Sequence, residues 1–198
     1  TPLFARYRPW WLVLFVPVLA IIVLDLGWGF HGLYNQDAHA YLRLVNELVA
    51  WWKGGAPPSN AYWPLGFPAA GAVVSLLTGS TLLGLRLVTA LGWVLSVLAF
   101  RRILLDTGAD RTRAGLYTAL TVGTSPFLLR HGVVVMSDVP AIALGLWSFR
   151  FGLRYANTRD SLICTALAAT AVMVRLPMLV WVVPVLTFSF VRAFQRAP

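Results

Sequence analysis

The chain has 198 residues, of which 59% are hydrophobic and only 12% are charged, and its mean hydropathy is +0.74. A soluble globular domain needs a more highly charged exterior, so this composition excludes that class and predicts an integral membrane protein. Sixteen Lys and Arg against seven Asp and Glu give a formal charge of +9, but the basic residues are spread in small groups between apolar segments, which argues against nucleic acid as a partner.

The first apolar segment, residues 10–30, predicts a membrane-spanning helix with its N-terminus in the cytoplasm. It follows Arg6 and Arg8 and lacks the small-residue cleavage site of a signal peptide, so we expect the helix to be retained. Further spans are predicted at residues 82–105, 114–129, 139–155, 162–174 and 178–191. The sequence therefore predicts an all-α, polytopic membrane protein with about six transmembrane helices in a single domain, residues 1–198.

One more apolar segment, residues 64–78, decides the topology of everything that follows it. If this segment does not cross, eleven of the sixteen basic residues lie on the cytoplasmic face. If it crosses, the short basic turn 101–113 moves outside, against the positive-inside rule. We therefore expect residues 64–78 to form a re-entrant or surface-lying helix within a first outer loop, residues 31–80, that contains interfacial helices.

The first half of that outer loop predicts an amphipathic helix over residues 38–52. Apolar side chains recur there at helical spacing and are expected to bury one face: Tyr41, Leu44, Val45, Leu48 and Trp52. Asp37 stands at the start of this helix. It is either an N-cap that stabilises the first turn or a functional carboxylate.

The second half of the outer loop, residues 53–64, contains too much Gly and Pro for a regular helix. It has the composition of a binding loop, and Tyr62 and Trp63 are the candidate substrate-lining residues. The alternative is that both rings are interfacial anchors at the level of the lipid headgroups.

Five features in this order resemble the GT-C superfamily of polytopic glycosyltransferases, most closely the protein O-mannosyltransferase and lipid A aminoarabinose transferase group. They are an acid after the first helix (Asp37), the amphipathic helix, the Trp-Pro-Leu-Gly-Phe-Pro stretch 63–68, the Met-Ser-Asp-Val-Pro motif 136–140 and the Arg-Leu-Pro turn 175–177. The resemblance implies transfer of a sugar from a polyprenyl-phosphate donor to an acceptor at the outer face of a bacterial or archaeal inner membrane. It also implies that the chain corresponds to the N-terminal module.

The resemblance assigns roles to individual residues. An acceptor hydroxyl must lose its proton, and Asp37 occupies the position of the presumed catalytic acid, so it is the candidate general base. The leaving phosphate needs fixed cations, for which Arg130, Arg175 and Lys53 are the candidates. Asp138 would orient a cation, a metal ion or the acceptor, and a divalent cation is the one candidate cofactor.

Other interpretations of the same residues stay open. Arg130 fits a side chain that snorkels to the headgroups, and Arg175 fits a helix cap or a structural ion pair with Asp138. The three histidines show no metal-ligand spacing, so no protein metal site is predicted. Relatives also carry a second acid where this chain has Ala38. A non-catalytic subunit of a larger membrane assembly, such as a photosynthetic or respiratory complex, is therefore the alternative function, with lipid and other subunits as partners.

Overall fold

The computed structural model describes residues 9–59, 62–154 and 157–196, and the described part contains helices and no strands, which confirms the all-α prediction. Within these ranges the α-helices are α1 (Val16–Trp28), α2 (Asn35–Trp52), α3 (Gly66–Thr78), α4 (Thr81–Asp106), α5 (Arg111–Gly123), α6 (Pro126–Val133), α7 (Asp138–Arg154), α8 (Thr158–Val174) and α9 (Leu179–Arg196). Short 3-10 helices, Pro9–Phe15 and Leu176–Met178, precede α1 and α9. Arg6 and Arg8, which set the predicted orientation, and residue 155, the predicted end of one span, lie outside the described residues.

Two helical stretches of the described chain are long and apolar enough to cross a membrane, Trp10–Trp28 and Thr81–Asp106. Both coincide with predicted spans. Two shorter apolar stretches, Gly66–Thr78 and Leu176–Val191, are below that length.

The segment 114–129, predicted as one continuous span, is interrupted. Helix α5 ends at Gly123 and α6 begins at Pro126, with the Ser125 side chain accepting a hydrogen bond from the Leu128 N–H at 3.3 Å. Proline has no N–H to donate to the preceding turn and disfavours helical geometry in the residue before it. The Ser-Pro pair therefore ends one helix and caps the next.

Helix α2 is amphipathic as predicted, with one difference at its end. Four of the five predicted residues, Tyr41, Leu44, Val45 and Leu48, are buried. Trp52 is 43% exposed, because the apolar cluster beneath α2 ends at Leu48 and Val49 and the last residue of the helix lies beyond it. The predicted burial of Trp52 is therefore wrong.

Helices α3 and α4 pack as a close antiparallel hairpin through two glycines. A Cβ atom at Gly84 would lie 2.6 Å from the carbonyl oxygen of Gly71, and one at Gly71 would lie 2.7 Å from a methyl carbon of Leu85. The space between the two helices admits no side chain at either position. This contact sets α3 against the first half of α4, beside α2.

Helix α7 lies at the centre of the bundle, between α4 and α8. Gly92 of α4 packs directly on Pro140 of α7, and the Trp147 indole N–H donates to the Leu95 carbonyl oxygen at 3.1 Å. On the other side of α4, the Trp93 indole N–H donates to the Val13 carbonyl oxygen at 2.8 Å, which ties the first helical stretch to the bundle.

Ion pairs mark the two ends of this bundle. At one end, called the arginine end below, Arg150 pairs with Asp106 at 2.8 Å and Arg101 stacks 4.3 Å over the ring of Trp10. At the opposite end, called the site end, Arg86 pairs with Asp25 at 2.5 Å and Arg175 pairs with Asp138 at 3.1 Å. Each end thus joins helices that are remote in the chain.

The glycine contact between α3 and α4 can be tested with Gly84→Ala. We expect this variant to lose about 1–3 kcal/mol of unfolding free energy, because the added methyl group must displace backbone. The matched control is Gly27→Ala in α1, where no atom lies within 4 Å of the added carbon, and which should be unchanged or up to about 1 kcal/mol more stable. The measurement is denaturant unfolding in detergent micelles. Equal stability of the two variants would contradict the close α3–α4 packing.

Candidate functional site

The candidate site forms where the starts of α2 and α7 meet the turn between α8 and α9. Helix α7 begins at Asp138, so its carboxylate lies in the positive field of the helix N-terminus. Helix α8 ends at Val174, and Arg175 is in extended backbone, ahead of the Pro177 turn that leads into α9. These two helix ends bring Asp138 and Arg175 together.

Arg175 is held by two contacts. Its Nε lies 3.1 Å from Asp138 Oδ1 in an ion pair, and its Nη1 donates to the Ser137 hydroxyl oxygen at 3.3 Å. The Asp138 side chain is only 8% exposed, whereas that of Arg175 is 29% exposed. A buried carboxylate needs such a partner, because desolvation of an unpaired charge is costly. The predicted alternative of an Asp138 ion pair is therefore observed, and it fixes the guanidinium in place.

Tyr41 extends this network to α2. Its hydroxyl lies 2.8 Å from the Ser137 hydroxyl, and both side chains are buried. Burial raises the pKa of Tyr41 above its usual value, an effect that the hydrogen bond to Ser137 and the charge of Arg175 only partly oppose. The phenol is therefore neutral at neutral pH and available as a hydrogen-bond donor.

A cavity of about 320 Å³ opens beside this network. It is lined by Asp37, Tyr41, Tyr62, Trp63, Pro64, Arg175, Leu176 and Pro177. Four of the residues predicted from the sequence, Asp37, Arg175, Tyr62 and Trp63, thus face one space. Carboxylate, guanidinium and aromatic rings together suit a ligand with hydroxyl, anionic and ring components.

The aromatic side of the cavity is built from rings in edge contact. The Trp63 ring lies 5.4 Å from Tyr62 and 6.1 Å from Tyr41, between centroids. Tyr41 also packs against Phe67 at 5.0 Å. Trp63 is partly buried while Tyr62 is 86% exposed. The cavity wall is therefore packed against neighbouring rings at Tyr41 and Trp63 and exposed at Tyr62.

Asp37 is not the N-cap of α2. The helix begins at Asn35, and the Asn35 side-chain oxygen accepts the Asp37 backbone N–H at 2.6 Å. Asn35 has a φ of 69°, a left-handed conformation that Asn tolerates better than most residues. Asn35 therefore performs the local turn stabilisation expected of Asp37, and the half-buried Asp37 carboxylate faces the cavity.

Two other candidate cations lie elsewhere. Arg130 is exposed on α6 and stacks 5.0 Å over the ring of Tyr34, beside a separate pocket of about 30 Å³. Lys53 follows the last residue of α2, which puts it about 24 Å along the helix from Asp37 at 1.5 Å per residue. The structure does not bring Arg130 or Lys53 to the cavity that Asp37 and Arg175 share.

Two network residues were not among the sequence candidates. Tyr41 was assigned only to the buried face of α2, although a phenol on an otherwise apolar face needs a polar partner. Ser137 precedes Asp138 in the Met-Ser-Asp motif and is fully buried. A hydroxyl in a buried apolar segment predicts a hydrogen bond to another buried polar group. The sequence does not show that the Tyr41 and Ser137 hydroxyls are each other's partners.

One oxygen of the network, Asp138 Oδ2, is buried without a hydrogen-bond partner among the described residues. Within the same ranges, no three His, Cys, Asp or Glu side chains come together as a metal-ligand group. His31, one of the three histidines, lies 3.5 Å from Asp25 at the end of α1. A divalent cation at the cavity remains a prediction.

Comparison with known proteins found no matching family model, curated protein or solved structure for this chain.

The ion pair between Arg175 and Asp138 can be tested by a double-mutant cycle. Arg175→Met should cost about 3 kcal/mol of unfolding free energy, because it leaves a buried carboxylate unpaired. Adding Asp138→Asn to Arg175→Met should recover at least about 1 kcal/mol, since the orphaned charge is removed. The free energy of unfolding is measured in detergent micelles for the wild type, both single variants and the double variant. Simple additivity of the two substitutions would mean that the pair does not form.

Proposed function

We propose that this protein is a polytopic membrane glycosyltransferase, or the N-terminal module of one, which uses a polyprenyl-phosphate sugar at the outer face of a bacterial or archaeal inner membrane. The observation that carries the proposal is the shared cavity. Asp37, Arg175, Tyr62 and Trp63 come from three separate segments and line one space. These are the residue types that acceptor deprotonation, phosphate binding and sugar contact require.

The membrane part of the proposal is about six spans with the N-terminus in the cytoplasm. It is supported by apolar side chains that cover the outside of the bundle, among them Leu19, Val23 and Leu26 of α1 and Val180 and Val183 of α9. A soluble monomer rarely exposes apolar patches of this extent. In a water-soluble bundle these apolar side chains would be exposed to water.

The length of α3 supports the prediction that residues 64–78 do not cross the membrane. Helix α3 has 13 residues and is therefore about 20 Å long, whereas a hydrocarbon core is about 30 Å thick. It also packs antiparallel to the first half of α4, as expected for a re-entrant hairpin. With α3 not crossing, the arginine end lies in the cytoplasm and the site end lies outside, in agreement with the positive-inside rule.

The proposed reaction uses Asp37 as general base. The acceptor hydroxyl oxygen attacks the anomeric carbon, its proton passes to the Asp37 carboxylate, and the bond from the anomeric carbon to the phosphate oxygen breaks. The lipid phosphate leaves with the electron pair of that bond, and the Arg175 guanidinium binds its negative charge. Asp138 and Ser137 act through Arg175 by holding it against the cavity.

An apolar groove beside the site supports a lipid-linked donor. It has a volume of about 280 Å³ and lies between α3, α4, α7 and α8. Its lining includes Phe67 and Val174, and Val174 is the chain neighbour of Arg175. A phosphate at Arg175 would therefore have an apolar surface next to it for the first isoprene units.

The topology can be tested with single cysteines in a Cys164→Ala background. In intact cells or right-side-out vesicles, we expect a membrane-impermeant maleimide to label the Lys53→Cys variant, because residue 53 would lie on the outer side of the membrane. Arg111→Cys, at the first residue of α5, should be labelled only after permeabilisation. The opposite labelling pattern would overturn the proposed orientation, and labelling of both in sealed vesicles would show that α4 does not separate them.

The activity can be tested with the full-length chain in proteoliposomes that contain polyprenyl-phosphate sugars. Asp37→Asn should reduce the turnover of sugar transfer by about 10²–10⁴-fold through loss of the base, with unfolding unchanged. Arg175→Lys should raise the donor concentration needed for half-maximal rate, because the ammonium cannot reproduce the planar fork. Glu47→Gln is the control, since Glu47 lies on α2 outside the cavity and pairs with Arg43. Full activity of Asp37→Asn, or no transfer by intact wild type with any polyprenyl-phosphate sugar, would contradict the proposal.

A further inference from the structure

Seven arginines whose side chains the structure describes gather at the arginine end. They lie at the end of α4, the start of α5, the end of α7 and the start of α8: Arg101, Arg102, Arg111, Arg113, Arg150, Arg154 and Arg159. The contact of Arg150 with Asp106 joins the ends of α7 and α4, and the stacking of Arg101 on Trp10 adds the start of the first helical stretch. Only a few residues separate α5 from α4 and α8 from α7 along the chain, so all seven share this end.

This end carries a surplus of positive charge. The acids described there are Asp106, Asp110 and Asp160, three against seven arginines, which leaves a surplus of four. Asp106 pairs with Arg150, and Asp110 accepts two backbone N–H groups at the start of α5 while pairing with Arg113 at 3.2 Å. Five of the arginines are exposed: Arg102, Arg111, Arg113, Arg154 and Arg159.

The opposite half of the molecule is nearly balanced. Its described cations, five in number, are Arg43, Lys53, Arg86, Arg130 and Arg175, and its described acids, four in number, are Asp25, Asp37, Glu47 and Asp138. Three of these acids already pair with arginine, in the Asp25–Arg86, Glu47–Arg43 and Asp138–Arg175 contacts. The charge surplus is therefore a property of one end.

Aromatic and apolar surface lies at the same end of the bundle as the exposed arginines, around the half-buried Arg101 and Arg150. Arg101 stacks on Trp10, and Arg150 lies 5.2 Å over Trp147. Next to them, Trp11, Leu116, Tyr117 and Leu162 are about half exposed or more. A nucleic acid or an acidic protein would match the charges but not this apolar flank. An anionic phospholipid matches both, through its phosphate and its acyl chains.

We propose that the arginine end binds the headgroups of anionic phospholipids of the inner leaflet, with their acyl chains against the apolar flank. This proposal rests on the membrane placement proposed above and is independent of the sugar-transfer site. Each arginine close to a membrane surface strengthens the attraction to anionic lipid by about fivefold. The exposed arginines together therefore select anionic over zwitterionic lipid at this end of the bundle.

The test compares the full chain with two triple variants in mixed phosphatidylglycerol and phosphatidylcholine. Arg102→Gln, Arg111→Gln and Arg154→Gln together remove three exposed charges from the arginine end. Arg43→Gln, Lys53→Gln and Arg130→Gln together remove the same charge elsewhere. Native mass spectrometry of protein released from nanodiscs counts the retained lipids of each kind, and thermal unfolding in detergent with added phosphatidylglycerol reports the linked stabilisation.

We expect the first triple variant to lose phosphatidylglycerol preference by at least about tenfold, and the second to stay close to wild type. Raising the salt concentration should weaken the preference of wild type more than that of the first variant. Equal preference in wild type and the first variant, or an equal loss in both variants, would overturn the proposal. A wild-type chain that is monomeric in buffer without detergent or lipid would instead overturn the membrane placement itself.

Discussion

The buried ion pair between Asp138 and Arg175 is the constraint on which the site depends. Asp138 starts α7, and Arg175 follows α8, so the pair requires these two helix ends to meet at one level of the bundle. Ser137 and Tyr41 extend the contact to α2, which carries Asp37. The desolvated carboxylate holds the guanidinium beside the cavity, the guanidinium donates to the Ser137 hydroxyl, and that hydroxyl is hydrogen-bonded to Tyr41.

The two ends of the bundle use charge in different ways. At the site end, acids form ion pairs with arginines that are remote in the chain, as Asp25 does with Arg86, so these charges stabilise contacts within the fold. At the arginine end, most guanidinium groups are exposed and outnumber the acids. Under the membrane placement proposed above, this asymmetry would set the orientation of the bundle. Among the described residues that line the cavity, the half-buried carboxylate of Asp37 shares the space with the guanidinium of Arg175.

Local sequence signals explain where the helices lie and also why two expectations failed. The apolar stretches 10–30 and 82–105 coincide with long helices because length and apolarity are local properties. The continuous span predicted over residues 114–129 is wrong, because Ser125 and Pro126 form a capping pair inside it that ends α5 and starts α6. Trp52 was misassigned because helical periodicity extends to the last residue of α2, whereas the cluster that covers that face does not.

The sequence alone determined the all-α class and singled out Asp138, because a charge between two long apolar segments stands out without any knowledge of its partner. Asp37 and Arg175 became candidates through the family resemblance of the motifs that contain them. Only the tertiary structure decided which of these charges meet. It paired Asp138 directly with Arg175, brought Ser137 and Tyr41 into the network, and left Arg130 and Lys53 outside the cavity. The physical reason is that periodicity reports which face of a helix is buried, while the pairing of helix ends depends on packing between residues far apart in the chain.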